Sequence, residues 1–194
     1  MTMTTTTKTT TKPIKELPPN PFQHEILELA SKQRTAAARV EVLKKYRNEG
    51  LVTILIWNFD PSIQSVLPPG DVPYADNDDQ TSVGGNLTEL IQSKVKNDGV
   101  KTTGYYGTED FSNEKSKTSI RKEWKNFYNF VVGGNGSISQ LRKETMFINI
   151  LQGLHPLEAE LLCLVKDKRL SDKYKITFEN VRQAYPDIQW GGRA

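Results

Sequence analysis

The sequence predicts an all-α protein: a single compact multi-helix domain over residues 21–190, a disordered Thr-rich arm at 1–20, and a short tail at 191–194. Three observations predict it. Apolar residues recur at helical spacing in several windows. Helix-starting residues (Asn, Ser or Thr caps, and Pro at a first position) stand before those windows, with Gly or Pro after them. One window alone, 51–59, is β-branched enough for a strand, it has no convincing partner elsewhere, and a lone strand has nothing to pair with.

In chain order, Met1 to Asn20 holds eight threonines with Lys8, Lys12 and Lys15, too little apolar surface to offset the entropy of ordering it. The first helix has Asn20 as its cap, Pro21 at its first position, and Phe22, Ile26 and Leu29 on one face. A second runs from Thr35 to Asn48, with Val40 and Leu43 inward, Arg39, Lys44, Lys45 and Arg47 outward, and Gly50 as its stop. Leu51–Phe59 reads as a buried helix, and Asp60-Pro61 as a short helical turn ended by Pro68-Pro69-Gly70.

Two long polar loops, about 68–86 and 97–116, flank a helix that Asn86 and Glu89 cap as a box, with Leu87, Leu90, Ile91 and Val95 on its apolar face. An amphipathic helix follows over 118–132, its stripe made by Ile120, Trp124, Phe127 and Val131. Lys117, Arg121, Lys122 and Lys125 make its start basic, against the helix dipole, so they are read as a solvated face or a phosphate grip. After Gly133-Gly134-Asn135-Gly136, Ser137 and Gln140 box the next helix, whose inner side is Leu141, Phe147, Ile148 and Leu151 and whose stop is Gly153.

His155-Pro156 opens a further helix with Glu158 in its first turn, where a negative charge suits the dipole, and Leu157, Leu161, Leu162 and Val165 inside. Lys166, Lys168, Arg169, Lys173 and Lys175 then crowd the turn before a short helix capped by Thr177, carrying Phe178, Val181 and Tyr185, and stopped by Pro186. Free N–H groups at that helix start, with basic residues just before it, suit a phosphate. Equally, those lysines and arginines can serve the carbonyls ending the preceding helix.

Composition narrows function. The 194 residues carry a net charge of +3, which permits nucleic-acid contact without requiring it. The single cysteine, Cys163, lies in an apolar run and reads as a buried small hydrophobe, consistent with a reducing compartment. No run approaches the roughly 18 apolar residues of a membrane span, and no signal segment is visible, so the Asn86 and Asn135 sequons are chance. His155 has no cysteine or second histidine within reach by spacing, which argues against a metal role. Asp76, Asp78 and Asp79 lack the glycine and glutamate of a calcium loop. Lys96-Asn97-Asp98-Gly99 spells the nucleotidyltransferase motif Lys-x-Asp-Gly, but too little chain follows to hold a nucleotide pocket. No phosphate-binding glycine loop and no nucleophile–histidine arrangement is present. The expectation is a protein that is not an enzyme, with no cofactor.

Leu151-Gln-Gly-Leu-His-Pro-Leu-Glu-Ala-Glu-Leu-Leu, Val165-Lys-Asp-Lys-Arg-Leu and Ile176-Thr-Phe-Glu-Asn-Val-Arg-Gln-Ala-Tyr-Pro resemble the end of the α-helical DNA-binding domain of phage ATP-dependent DNA ligases. Ile26-Leu-Glu-Leu-Ala-Ser-Lys-Gln-Arg-Thr and Val42-Leu-Lys-Lys-Tyr resemble its opening helices. Residues 20–190 also resemble a group of uncharacterised tailed-phage proteins related to the large myoviruses. The resemblance implies a grip on duplex or nicked DNA through sugar and phosphate, with contacts at Lys168, Arg169, Thr177 and Arg182. Where the ligase turn bears glycine, this chain reads Ser171-Asp172-Lys173-Tyr174. The expected partner is double-stranded or nicked DNA in the cytoplasm of an infected host cell. The alternative is a protein-interaction or virion-assembly module, or a replication or transcription accessory, docking through the arm and an exposed Trp190-Gly-Gly-Arg tail.

Overall fold

A computed structural model describes residues 15–72 and 117–193. The 86–97 helix, the Asp76–Asp79 loop and the Lys96–Gly99 motif lie outside the described residues. Among the described residues there are eight α-helices and no strand. They are α1 (Gln23–Ser31), α2 (Ala36–Lys45), α3 (Glu49–Phe59), α4 (Ile120–Glu123), α5 (Gln140–Gly153), α6 (Pro156–Lys166), α7 (Leu170–Lys173) and α8 (Phe178–Ala184), with a 3-10 segment at Trp124–Phe130 after α4. None is long and apolar enough to cross a membrane.

The segment that strand propensity favours is the central helix. Leu51, Ile54, Leu55 and Trp57 are all buried, and α3 packs against α4, the 3-10 segment and α6. Its β-branched residues cost a few tenths of a kcal/mol each in helix propensity, about 2 kcal/mol in all. Burying four large side chains returns about 1.5–3 kcal/mol apiece, so tertiary burial decides the conformation.

Gly50 does not stop α2. Asn48 caps α3 by accepting from the Leu51 N–H (3.0 Å), and Gly50 lies inside that helix. There the chain passes close to α1 and α4. A Cβ on Gly50 would stand 2.9 Å from Gln23 Nε2 and 3.2 Å from both Arg121 Cα and the Ile120 carbonyl oxygen. Gly50→Ala gains about 1 kcal/mol of helix propensity, yet the overpacking outweighs it, so a net loss of about 1–2 kcal/mol is expected in urea unfolding.

Other boundaries shift for identifiable reasons. Asn20 takes a left-handed conformation (φ 54°), and α1 begins two residues later than the cap reading, at Gln23, with Glu25 accepting from the Phe22 N–H (2.9 Å). The predicted 118–132 helix stays α-helical only over Ile120–Glu123. Beyond it, Trp124, Phe127 and Phe130 recur every three residues, the 3-10 period, and Trp57 packs against Phe127 and Phe130. Val131 is extended and bridges Ser65, so the stretch after Asp60-Pro61 is turn and bridge rather than helix. Ser139, not Ser137, caps α5, accepting from the Arg142 N–H (3.2 Å). Leu141, read as core, is 73% exposed; Ile150 fills the inner side with Phe147 and Leu151.

The ends of the described chain are fastened. The Leu17 N–H donates to Tyr46 Oη (2.9 Å). The Trp190-Gly-Gly-Arg tail, expected to be exposed, folds back instead. Trp190 meets Phe178 edge-on (4.8 Å between centroids), and the Gly191 N–H and Arg193 Nε each reach Asp60 Oδ2 at 3.0 Å. Asp60 is wholly buried, which opposes its ionisation, but hydrogen bonds from Ser62, Gly191 and Arg193 hold its carboxyl below the usual range.

Candidate functional site

The C-terminal basic turn is largely turned inward. Lys166 is buried, and its ammonium donates to the carbonyls of Pro68 (2.7 Å) and Gly70 (3.1 Å) and pairs with Asp167. Lys168 is left-handed (φ 57°) at the end of α6, with its N–H on the Val165 carbonyl (3.0 Å) and the Arg169 N–H on that of Leu164 (2.8 Å). That is a Schellman ending, the place glycine usually fills. The Lys168 ammonium reaches the Asp60 carbonyl at 2.6 Å, and burial lowers its pKa. Arg169 pairs with Asp172 (2.7 Å), and Lys173 with Glu160. Thr177 caps α8, accepting from the Asn180 N–H at 3.2 Å. Arg182 lies over the Phe178 ring, 3.8 Å from Glu179. The carbonyls ending α6 are met by the backbone N–H groups of Lys168 and Arg169, while the side chains of Lys166, Lys168, Arg169 and Lys173 reach other segments or carboxylates.

Of the amphipathic segment's cations, Lys125 lies over Trp124 (5.7 Å). Arg121 donates to the Pro21 carbonyl (2.9 Å), and partial burial lowers its pKa. Arg121 and Lys122 line a depression of about 370 Å³ beside Pro19–Phe22 and Glu158.

Lys175 has a different setting. Its N–H donates to Ser31 Oγ (3.0 Å), which itself donates to the Leu27 carbonyl (2.7 Å), tying the 174–176 backbone to the end of α1. This places Lys175 and Lys173 across a cleft of about 530 Å³ from Lys32, Arg34 and Arg39. Lys32 and Arg34 lie just before the Thr35 cap of α2, and Arg39 one turn inside it, so the helix's positive end adds to their charge. Glu28 is the acidic residue in the lining.

Two of the residues lining this cleft each carry a polar atom that is buried without a hydrogen-bond partner among the described residues: Arg39 Nε and the Tyr174 hydroxyl. Tyr174 is 1% exposed, and burial, reinforced by Glu28, Glu160 and the interior Glu158, pushes its pKa well above the usual phenol value, so the hydroxyl stays protonated. Of these residues the sequence reading named Lys173 and Lys175. It missed Lys32 and Arg34 as a site, although cations flanking a helix cap are a readable signal for anion binding.

The buried interior holds a second cluster. The rings of His24 and His155 stack 5.1 Å apart, so the fold brings together histidines that their sequence spacing keeps apart. Glu158 is wholly buried and accepts from the N–H groups of Gln23 (3.0 Å) and Ile120 (2.9 Å). Burial raises its pKa to about 7 despite those bonds. Cys163 is buried, which raises its thiol pKa. Among the described residues no group of three histidine, cysteine or acidic side chains is placed to hold a metal.

Fold and site define the class as an all-α domain with a basic surface cleft. The chain matches the model of DUF6433, a family of unknown function, over residues 26–97 and 94–172, and it belongs to that family. No curated protein and no solved structure matches it.

Proposed function

We propose that this is a non-enzymatic DNA-binding protein that holds duplex or nicked DNA by its phosphates. The observation that carries this reading is the cleft where Lys32, Arg34, Arg39 and Lys175 gather around a single lining carboxylate, Glu28, beside Lys173, which is itself paired with Glu160. Phosphate contacts position a protein on DNA without reading sequence, so little base preference is expected. The motif-level resemblance to the phage ligase DNA-binding domain points to the same substrate. The cleft moves the expected contacts from Lys168 and Arg169 toward Lys175 and the α1–α2 turn.

Binding to intact and nicked duplexes should weaken steeply with salt, each engaged cation contributing about 0.9 to the log–log slope. Arg34→Ala with Lys175→Ala should lower the slope by roughly 2 without altering thermal unfolding. Lys168→Ala with Arg169→Ala should change it less, because both side chains have internal partners. Fluorescence anisotropy at two salt concentrations reads all three. Salt-insensitive binding, or none at low salt, would sink the proposal.

A second reading, a protein-interaction or virion-assembly module, draws on exposed apolar side chains. Leu141 is 73%, Tyr128 54% and Val132 48% exposed. Many copies in purified phage particles, counted by mass spectrometry, would favour it over the first.

A further inference from the structure

We infer that DNA also meets this protein at the root of its N-terminal arm, where Lys15, Arg121 and Lys122 gather beside residues 19–22 and the arm's Lys8 and Lys12 extend the contact along the phosphates. This rests on the proposed DNA-binding role of the basic cleft and adds a second contact surface to it.

Exposed cations fall into two kinds. Lys44, Lys45, Arg47, Arg169 and Arg182 are each paired with a carboxylate. Lys15 and Lys122 are exposed and enter no salt bridge among the described residues. Arg121 donates to the Pro21 carbonyl, which fixes a third positive charge behind them. The carboxylates close by are engaged elsewhere. Glu16 pairs with Lys45, and Glu25 accepts from the Phe22 N–H. Glu123 accepts from Thr118 Oγ1 (2.7 Å) and Asn126 Nδ2 (2.9 Å), and Glu158 from two buried backbone N–H groups. The same composition continues into the arm: residues 1–15 hold three lysines, eight threonines and no acidic residue. Lysine and threonine both donate to phosphate oxygens without reading bases. Phe22 stands at the start of α1 and the basic cleft at its end, so about 14 Å of helix separates the two surfaces. Duplex DNA carries a phosphate charge about every 1.7 Å of its axis, so one duplex offers phosphates to both. The fourteen residues before Lys15 can reach at most about 50 Å, enough to follow a strand beyond either surface.

The test is anisotropy with the full chain on one intact duplex across a salt series. Lys8→Gln, Lys12→Gln and Lys15→Gln together should lower the log–log slope by roughly 2, and Lys122→Gln alone by roughly 1. Lys122→Gln should leave the melting temperature unchanged, because the side chain is exposed and in no salt bridge. Combined with Arg34→Ala and Lys175→Ala, the losses in slope should add, as they do for separate contacts on one duplex. Lys143→Gln is the control for net charge: it sits on α5 and lines neither surface, so it should move the slope little. A slope unchanged in both the arm variant and Lys122→Gln, while the cleft variant still lowers it, overturns the arm-root contact and leaves the DNA-binding reading standing. A Lys143→Gln effect as large as that of Lys122→Gln overturns it too, because the loss would then follow total charge rather than place. No binding to any duplex at low salt overturns both readings.

Discussion

Glu158→Ala is expected to remove about 3–6 kcal/mol of stability, enough to unfold much of the population of a typical domain. The carboxylate is wholly buried, and its two oxygens accept from the first N–H groups of two different helices, Gln23 of α1 and Ile120 of α4. Those N–H groups have no intrahelical partner, so truncation leaves two buried donors orphaned and opens a void where α1, α4 and α6 converge. Each buried donor left without a partner costs about 1–3 kcal/mol. Glu158→Gln keeps one acceptor oxygen but turns an amide N–H toward the other donor, so roughly half the loss is expected. Urea titration followed by circular dichroism measures both. An Ala variant with an unchanged midpoint would show that the α1–α4 junction does not depend on this carboxylate.

Glu158 also shows where sequence reading reached its limit. Its place in the first turn of α6, behind His155-Pro156, was legible, and so was a favourable dipole. Its burial was not, because the donors it serves are 135 and 38 residues away. The same division holds across the fold. The helical content, the Thr35, His155 and Thr177 caps and the buried α3 follow from local pattern and from the absence of a partner strand. The break after Glu123 does not, because Trp57, from a distant helix, selects the three-residue row of Phe127 and Phe130. The site divides in the same way. Positive charge around 166–175 was plain, but which cations remain outward depends on Asp60, Glu160 and the 68–70 carbonyls. Lys32, Arg34 and Arg39 join Lys175 through the Ser31 hydrogen bonds, which link residues 144 positions apart.

Acidification from pH 7 to about pH 4.5 should lower stability, and replacing the two histidines should reverse that trend. His155 Nδ1 accepts from the Leu157 N–H (3.1 Å), so protonation there turns the acceptor into a donor and destroys the α6 cap. Burial lowers its pKa to about 4; His24 is lowered well below its usual value, by burial first and then by His155 and Lys173. Unfolded histidines titrate near 6.5, so between these values the unfolded chain binds more protons. The histidine contribution is therefore complete above pH 6.5 and lost as pH falls, with His155 alone worth roughly 3 kcal/mol. Glu158 acts with the opposite sign. Its folded pKa of about 7 lies above the unfolded value, so its contribution is present below about pH 4.5 and lost as pH rises through 7. Glu25 and Glu28, both raised mainly by burial, act in the same direction as Glu158. His155 and Glu158 shift about equally in opposite senses, so the balance in the native chain rests on His24 against Glu25 and Glu28, and a urea midpoint that peaks near neutrality is the result expected if the histidines dominate. His24→Phe with His155→Asn keeps a ring beside Phe22 and a capping oxygen before Pro156 while removing both titrations. With only the raised carboxyls left, that variant should be more stable at pH 5 than at pH 7.5. An acid loss as large as that of the native chain would place the pH sensitivity outside the histidine stack.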